Sequence, residues 1–295
     1  MARALFCSLF LWLAALAAGQ ENKLKVYIAA DLEGIGGVST WDVQADAKGR
    51  EYEKFRQLMT QEVNAAVAGA FDAGASEVLV SDSHGDAQNI DVEALDKRAR
   101  LVRAWPRPLL MMQGINNTFG AVVLIGYYAS QGEFPAVLAH NLNSQRIMDV
   151  KYNGKTLPDA GLGAAIAGEF GVPVVFLSGD QTIAQEAKRL FGPIETVVVK
   201  EAIGFYAATM MHPEKTQRLI REGVKRGVER RGELKPFRVA HPVKLEVTFK
   251  QTVNAEVVSY LPGVERPRGD TIEFTARDMN EASRFLSAVM FVNAY

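Results

Sequence analysis

Two short stretches of the chain carry side chains that could hold a metal ion between them. Asp31-Leu-Glu33-Gly34 sets two carboxylates two positions apart, and Asp82-Ser-His84-Gly85 sets an aspartate and a histidine at the same spacing. In extended backbone, residues i and i+2 point to one side, so each pair would present both groups together. Two carboxylates held close repel unless a proton or a cation lies between them. A divalent metal removes that repulsion, a bridging aspartate can serve two metals, and a neutral imidazole completes a common zinc ligand set. Taken singly, Asp31 or Asp82 could cap a turn, and His84 could be a structural hydrogen-bonding residue. The coincidence of both motifs with a third candidate, His140-Asn141, favours a metal site. The remaining histidines, His212 and His241, each precede a proline and read as residues at element boundaries, outside the site.

These residues need a scaffold that brings them together. Lys25–Ala30, Glu77–Ser81, Ala121–Tyr127, Ala136–Ala139, Val172–Leu177 and Glu195–Val199 read as strands. Between them, Glu51–Ala73, Ala160–Phe170 and Thr182–Phe191 have helical character, with Gly74, Gly171-Val-Pro173 and Gly192-Pro193 as stops. Near-continuous apolar strands separated by helices predict an α/β fold, a mostly parallel sheet with helices on both faces. In such sheets, sites form beyond the carboxyl ends of the strands, where Asp31, His84, Tyr128 and His140 are expected. Past residue 200 the pattern changes. Pro213–Arg231 is a charged amphipathic helix, Val243–Phe249, Val253–Tyr260 and Thr271–Ala276 read as strands, and Met279–Phe291 as a last helix. The expected organisation is a metal-binding α/β domain over 24–200 and a smaller C-terminal α+β domain over 201–295.

The chain has 295 residues, a net charge of −1 and 48% hydrophobic residues. That balance gives no electrostatic case for nucleic acid or an anionic membrane as partner. Arg3, the apolar run Ala4–Ala18 and the Ala15-Leu-Ala17 pattern read as a signal peptide over residues 1–19, which predicts an exported protein, periplasmic or secreted. The single cysteine, Cys7, lies in that segment. A mature chain would have no disulfide and would build any metal site from His, Asp, Glu or Tyr. No later stretch is long enough to span a membrane.

Two other chemistries fit poorly. Gly34-Ile-Gly36-Gly37 follows a strand, but Ser39 stands where G-x-G-x-x-G needs its third glycine, and no helical run opens there. There is no G-x-S-x-G elbow for a serine hydrolase.

The chain resembles the zinc D-aminopeptidase family of bacterial dipeptide-transport operons, a family of binuclear metallopeptidases. The resemblance is carried by Ala30-Asp-Leu-Glu-Gly34, Glu51-Tyr-Glu53, Leu79-Val-Ser-Asp-Ser-His84, Ile125-Gly-Tyr127, Val137-Leu-Ala-His140, Ala160-Gly-Leu162 and Leu177-Ser-Gly-Asp180. It implies Asp31 as bridging zinc ligand, Glu33 and His84 as further ligands, and His140 as the catalytic histidine. Asp159 matches a glutamate ligand of the family, and Tyr128 stands where the family has a histidine ligand. A phenol binds a metal only after losing a proton, and aspartate reaches one methylene less than glutamate. One or two zinc ions per chain are therefore expected. The implied activity is removal of N-terminal D-residues such as D-Ala from short peptides. The alternative is a catalytically impaired relative that binds peptides or metal. The resemblance also implies a homo-oligomer, with a decameric ring as its fullest form.

Overall fold

The computed structural model describes residues 23–291, so the expected signal peptide lies outside the described residues. Six parallel strands and one antiparallel edge strand form the main sheet. In chain order these are β1 (Lys25–Ala30), β2 (Glu77–Asp82), β3 (Ala99–Val102), β4 (Phe119–Tyr127), β7 (Val174–Asp180), β8 (Glu195–Ala202) and β9 (Ala208–Met210). Their spatial order is β3-β2-β1-β4-β7-β8-β9, with only β8–β9 antiparallel. The chain runs outward from β1 to β3, then crosses back to β4 on the other side of β1. The carboxyl ends of β1 and β4 are thus a topological switch point, where a crevice opens.

Two helix pairs cover this sheet. α1 (Tyr52–Asp72) packs on α4 (Pro213–Glu229), and α2 (Asp159–Glu169) packs with α3 (Gln181–Phe191). The inner strands are apolar because helices screen them from water: Val26–Ala30, Ala121–Ile125 and Val174–Leu177 are all buried. Burying each large side chain among them contributes about 1.5–3 kcal/mol.

A second, antiparallel sheet has the order β11-β12-β10-β5-β6. It comprises β5 (Ile147–Tyr152), β6 (Lys155–Thr156), β10 (Val243–Phe249), β11 (Val264–Arg268) and β12 (Thr271–Ala276), backed by α5 (Thr252–Val258) and α6 (Met279–Phe291). The sheets do not part at residue 200. The β5–β6 hairpin joins the C-terminal sheet, and α4 covers the N-terminal one. The hairpin turns at Asn153-Gly154, both with positive φ, the dipeptide that a tight two-residue turn favours.

Two elements differ from the sequence expectation. The expected strand Val253–Tyr260 is instead the helix Thr252–Val258 followed by a turn, because its buried positions Asn254, Ala255 and Val258 follow helical spacing, which outweighs the β-branched valines. Ala136–Ala139 is a loop rather than a strand. Pro135 has no N–H to give a ladder and Leu138 has φ 53°, so the donors go elsewhere. The Val137 N–H donates to Asp180 Oδ2 (2.8 Å) and the Leu138 N–H to the Phe205 carbonyl (3.0 Å).

Candidate metal centre

Asp31, Glu33, His84, Tyr128, His140 and Asp159 all line one pocket, and each is at most 8% exposed. They arrive there by different routes. The Asp31 N–H donates to the Ile125 carbonyl (2.8 Å), extending the β1–β4 ladder by one residue. The chain then turns, and the turn rather than strand alternation swings Glu33 back beside Asp31. Gly34 makes that turn possible: a Cβ there would lie 2.1 Å from the Tyr127 carbonyl oxygen. The glycines after β1 thus serve close backbone approach. His84 follows β2 and Tyr128 follows β4. Asp159 opens α2. His140 sits in the irregular 136–142 loop.

Asp31, Glu33 and His84 offer ligand atoms that all lie within 4.8 Å of one another. His84 Nδ1 stands 2.9 Å from Glu33 Oε2 and 3.4 Å from Asp31 Oδ1. Its Nε2 lies 2.7 Å from the Ala45 carbonyl, which can only accept, so Nε2 carries a proton and Nδ1 faces the carboxylates. A carbonyl partner of this kind fixes the tautomer and the ring direction of a metal-ligating histidine.

The electrostatics point to a cation. Burial pushes the Asp31 carboxyl well above the usual range, and the charge of Glu33 adds to that. Burial opposes charge on His84, but Glu33 and Asp31 outweigh it and hold the imidazole well above its ordinary value. Burial likewise opposes charge on Glu33, but His84 prevails and holds it well below. The cluster thus retains a proton that a divalent cation can replace.

The other three residues are tied to one another. The Tyr128 hydroxyl donates to Asp159 Oδ2 (2.7 Å), and the Leu142 N–H donates to both Asp159 oxygens (3.0 and 3.2 Å). The Tyr128 ring stacks on His140 at 3.9 Å between centroids. His140 Nδ1 lies 2.7 Å from the Leu138 carbonyl and so carries the proton, leaving the Nε2 lone pair free 3.8 Å from Glu33 Oε1. Burial raises the Asp159 carboxyl. Burial, reinforced by the nearby Asp159 charge, raises the Tyr128 phenol well above its usual value.

Asp82 does not reach the cluster. Its oxygens accept from the Asn89 and Ile90 N–H groups (2.6 and 2.7 Å) and from the Asn89 side chain, so it caps the turn after β2. His212 caps α4 through the Glu214 N–H, and His241 pairs with Glu169 at 2.7 Å; both lie outside the pocket.

Several supporting residues gave no sequence signal. Trp41 Nε1–H donates to Glu33 Oε1 (3.2 Å), and its ring meets His140 edge-on. Lys200, buried on β8, donates to the carbonyls of Glu33, Ile35 and Val38. Glu62 accepts from the Gly36 N–H (2.9 Å). Lys200 and Glu62 together clamp the loop that carries Glu33. Beyond the cluster the pocket widens into a cleft of about 790 Å³, walled in part by Trp41, Tyr52 and Trp105.

The peptidase family M55 model, described as D-aminopeptidase, matches residues 24–288. The chain belongs to the D-aminopeptidase family. It is 34% identical over 263 residues to a D-aminopeptidase of Bacillus subtilis (strain 168), covering 88% of this chain and 94% of that one. The fold is that of a solved structure described as the Zn-dependent D-aminopeptidase DppA from Bacillus subtilis, a self-compartmentalizing protease. That match has a TM-score of 0.86 at 32% identity and covers 90% of this chain and 97% of the other. By family the chain is a metallo-aminopeptidase, a hydrolase of peptide bonds.

Proposed function

We propose that this chain is an exported zinc-dependent aminopeptidase that removes N-terminal D-residues, D-Ala among them, from short peptides. The observation that carries the reading is the orientation of two imidazoles. His84, anchored through Nε2 to the Ala45 carbonyl, turns Nδ1 to two carboxylates, where a metal would take the place of its proton, and His140, anchored through Nδ1, turns Nε2 into the same pocket. Asp31, Glu33 and His84 would hold the zinc, which supplies Lewis-acid polarisation of the scissile carbonyl and charge neutralisation of the oxyanion. His140 Nε2 takes the proton of the attacking water and returns it to the leaving amine as the C–N bond breaks. Trp41 holds Glu33 from the cleft side, and the buried Leu138 carbonyl keeps His140 in the tautomer that can accept. The cleft leaves room for a peptide beyond the cleaved bond.

Export is supported by the pattern of residues 1–19. Assembly into a homo-oligomer, up to a ring of ten, is supported by the self-compartmentalizing relative and by exposed Ile203, Phe205 and Tyr206 near the β8–β9 turn. A monomer mass in sedimentation would overturn that assembly. For activity, the zinc-loaded protein is expected to release D-Ala from D-Ala-containing di- and tripeptides, and chelation to stop it. Stoichiometric peptide binding without product would instead mark a binding protein.

A further inference from the structure

The six polar residues of the pocket divide into two sets by what their atoms already touch. In the first set, ligand atoms of Asp31, Glu33 and His84 converge within 4.8 Å of one another; Trp41 and the Leu32 N–H each hold one carboxylate oxygen from outside, and Glu33 Oε2 faces His84 Nδ1 at 2.9 Å. In the second, the donor and acceptor positions are largely engaged. Asp159 accepts one hydroxyl and one backbone N–H, the Tyr128 proton is committed to Asp159, and the Tyr128 ring lies flat on His140. Among the described residues, Asp159 belongs to no group of three ligands within 4.8 Å of one another. A ligand at Asp159 or Tyr128 would have to break their mutual 2.7 Å hydrogen bond and displace the phenolic proton.

We propose that this chain holds a single metal ion, at Asp31, Glu33 and His84, and that the hydrogen-bonded pair Tyr128–Asp159 takes the place of a second ion and positions His140. The binuclear arrangement implied by the family resemblance therefore does not fit the residues present. The pair does two jobs a second ion would otherwise do at that wall of the pocket. It keeps the Asp159 carboxylate satisfied, and through the stacked ring it fixes the plane of His140, whose Nδ1 is already anchored to Leu138. Tyr128 is thus a positioning residue.

The inference rests on the proposed function only for the identity of the metal. Its test is zinc per chain, by elemental analysis and native mass spectrometry of the full protein after loading with excess zinc and gel filtration. One zinc is expected in the wild type, one in Tyr128→Phe, none in His84→Ala, and two in Tyr128→His, which restores an imidazole. Two zinc in the wild type, falling to one in Tyr128→Phe, would overturn the proposal, because the phenol would then be a ligand. One zinc in folded Tyr128→His would overturn the part assigned to the pair. If that variant does not fold, titration of the wild type with zinc followed by ultraviolet difference absorbance decides the same point. No tyrosinate band is expected, and a band growing with a second equivalent contradicts the proposal. No zinc in the wild type would sink both this inference and the zinc peptidase. One zinc without hydrolysis of D-Ala peptides would sink the activity and leave the single site standing.

Discussion

The two sides of the pocket are built on different principles. One side is made by strand ends: Asp31 and Glu33 follow β1 and His84 follows β2, so neighbouring strands in register bring the ligands together. The other side is made by a loop and a helix start: His140 sits where the backbone has left the sheet, and Asp159 opens α2. The strand-end side carries converging lone pairs and a retained proton. The loop side carries closed hydrogen bonds and a stacked ring. On the proposed function, metal binding would fall to the strands and proton transfer to the loop.

The largest expected effect breaks the strand side. His84→Ala removes the only nitrogen of the cluster and leaves two buried carboxylates facing one another. Zinc binding and hydrolysis should both be lost, read by elemental analysis and peptide assay. Retained zinc would mean that the ligands lie elsewhere. The next variant isolates the loop side. His140→Ala should keep its zinc and lose about 10²–10⁴-fold in kcat, the usual contribution of a general acid–base group. Loss of zinc as well would erase the distinction between the two sides.

Smaller effects come from the clamp behind Glu33. Lys200→Met removes the ammonium that serves three carbonyls, and a buried acceptor left unpaired costs about 1–3 kcal/mol. Denaturant unfolding should show a loss of that order or somewhat more, with weaker zinc affinity in chelator competition. An unchanged affinity would make Lys200 a purely structural residue.

Glu62 gives the smallest and most specific effect. Burial raises its carboxyl from the usual 4.5 to about 7, so between those values the folded state binds a proton that the unfolded state has released. Stability from this group is therefore full below about pH 4.5 and falls as pH rises toward 7. Glu62→Gln keeps an acceptor for the Gly36 N–H and cannot ionise. The two proteins should have similar stability near pH 4.5 and diverge in favour of the variant by pH 8, in guanidinium unfolding. Parallel pH profiles would contradict the assignment.

The strand side was legible in the sequence because its signal is local. Asp31-Leu-Glu33 and Asp82-Ser-His84 announce themselves by spacing at the ends of apolar runs. Even there spacing alone is not enough: Glu33 reaches its place by a turn that Gly34 permits, and Asp82 caps a turn. Tyr128, His140 and Asp159 entered the sequence reading as strand-end positions or through the family resemblance. Their arrangement depends on long-range contacts, such as Tyr128 to Asp159 and Val137 to Asp180, that no local pattern encodes. Trp41, Glu62 and Lys200 were missed for the same reason, since a lysine on an apolar strand carries no sign that three carbonyls await it. The parallel sheet was readable from its apolar strands. The division at residue 200 was not, because β5 of the Asn153-Gly154 hairpin pairs with β10, nearly a hundred residues further along the chain.

The most direct test of the central claim is an anomalous difference map at the zinc edge from crystals of the zinc-loaded protein. One strong peak is expected within coordination distance of Asp31, Glu33 and His84 Nδ1, and none between Tyr128 and Asp159. A peak elsewhere in the pocket, or none at the three strand-end ligands, would contradict that claim.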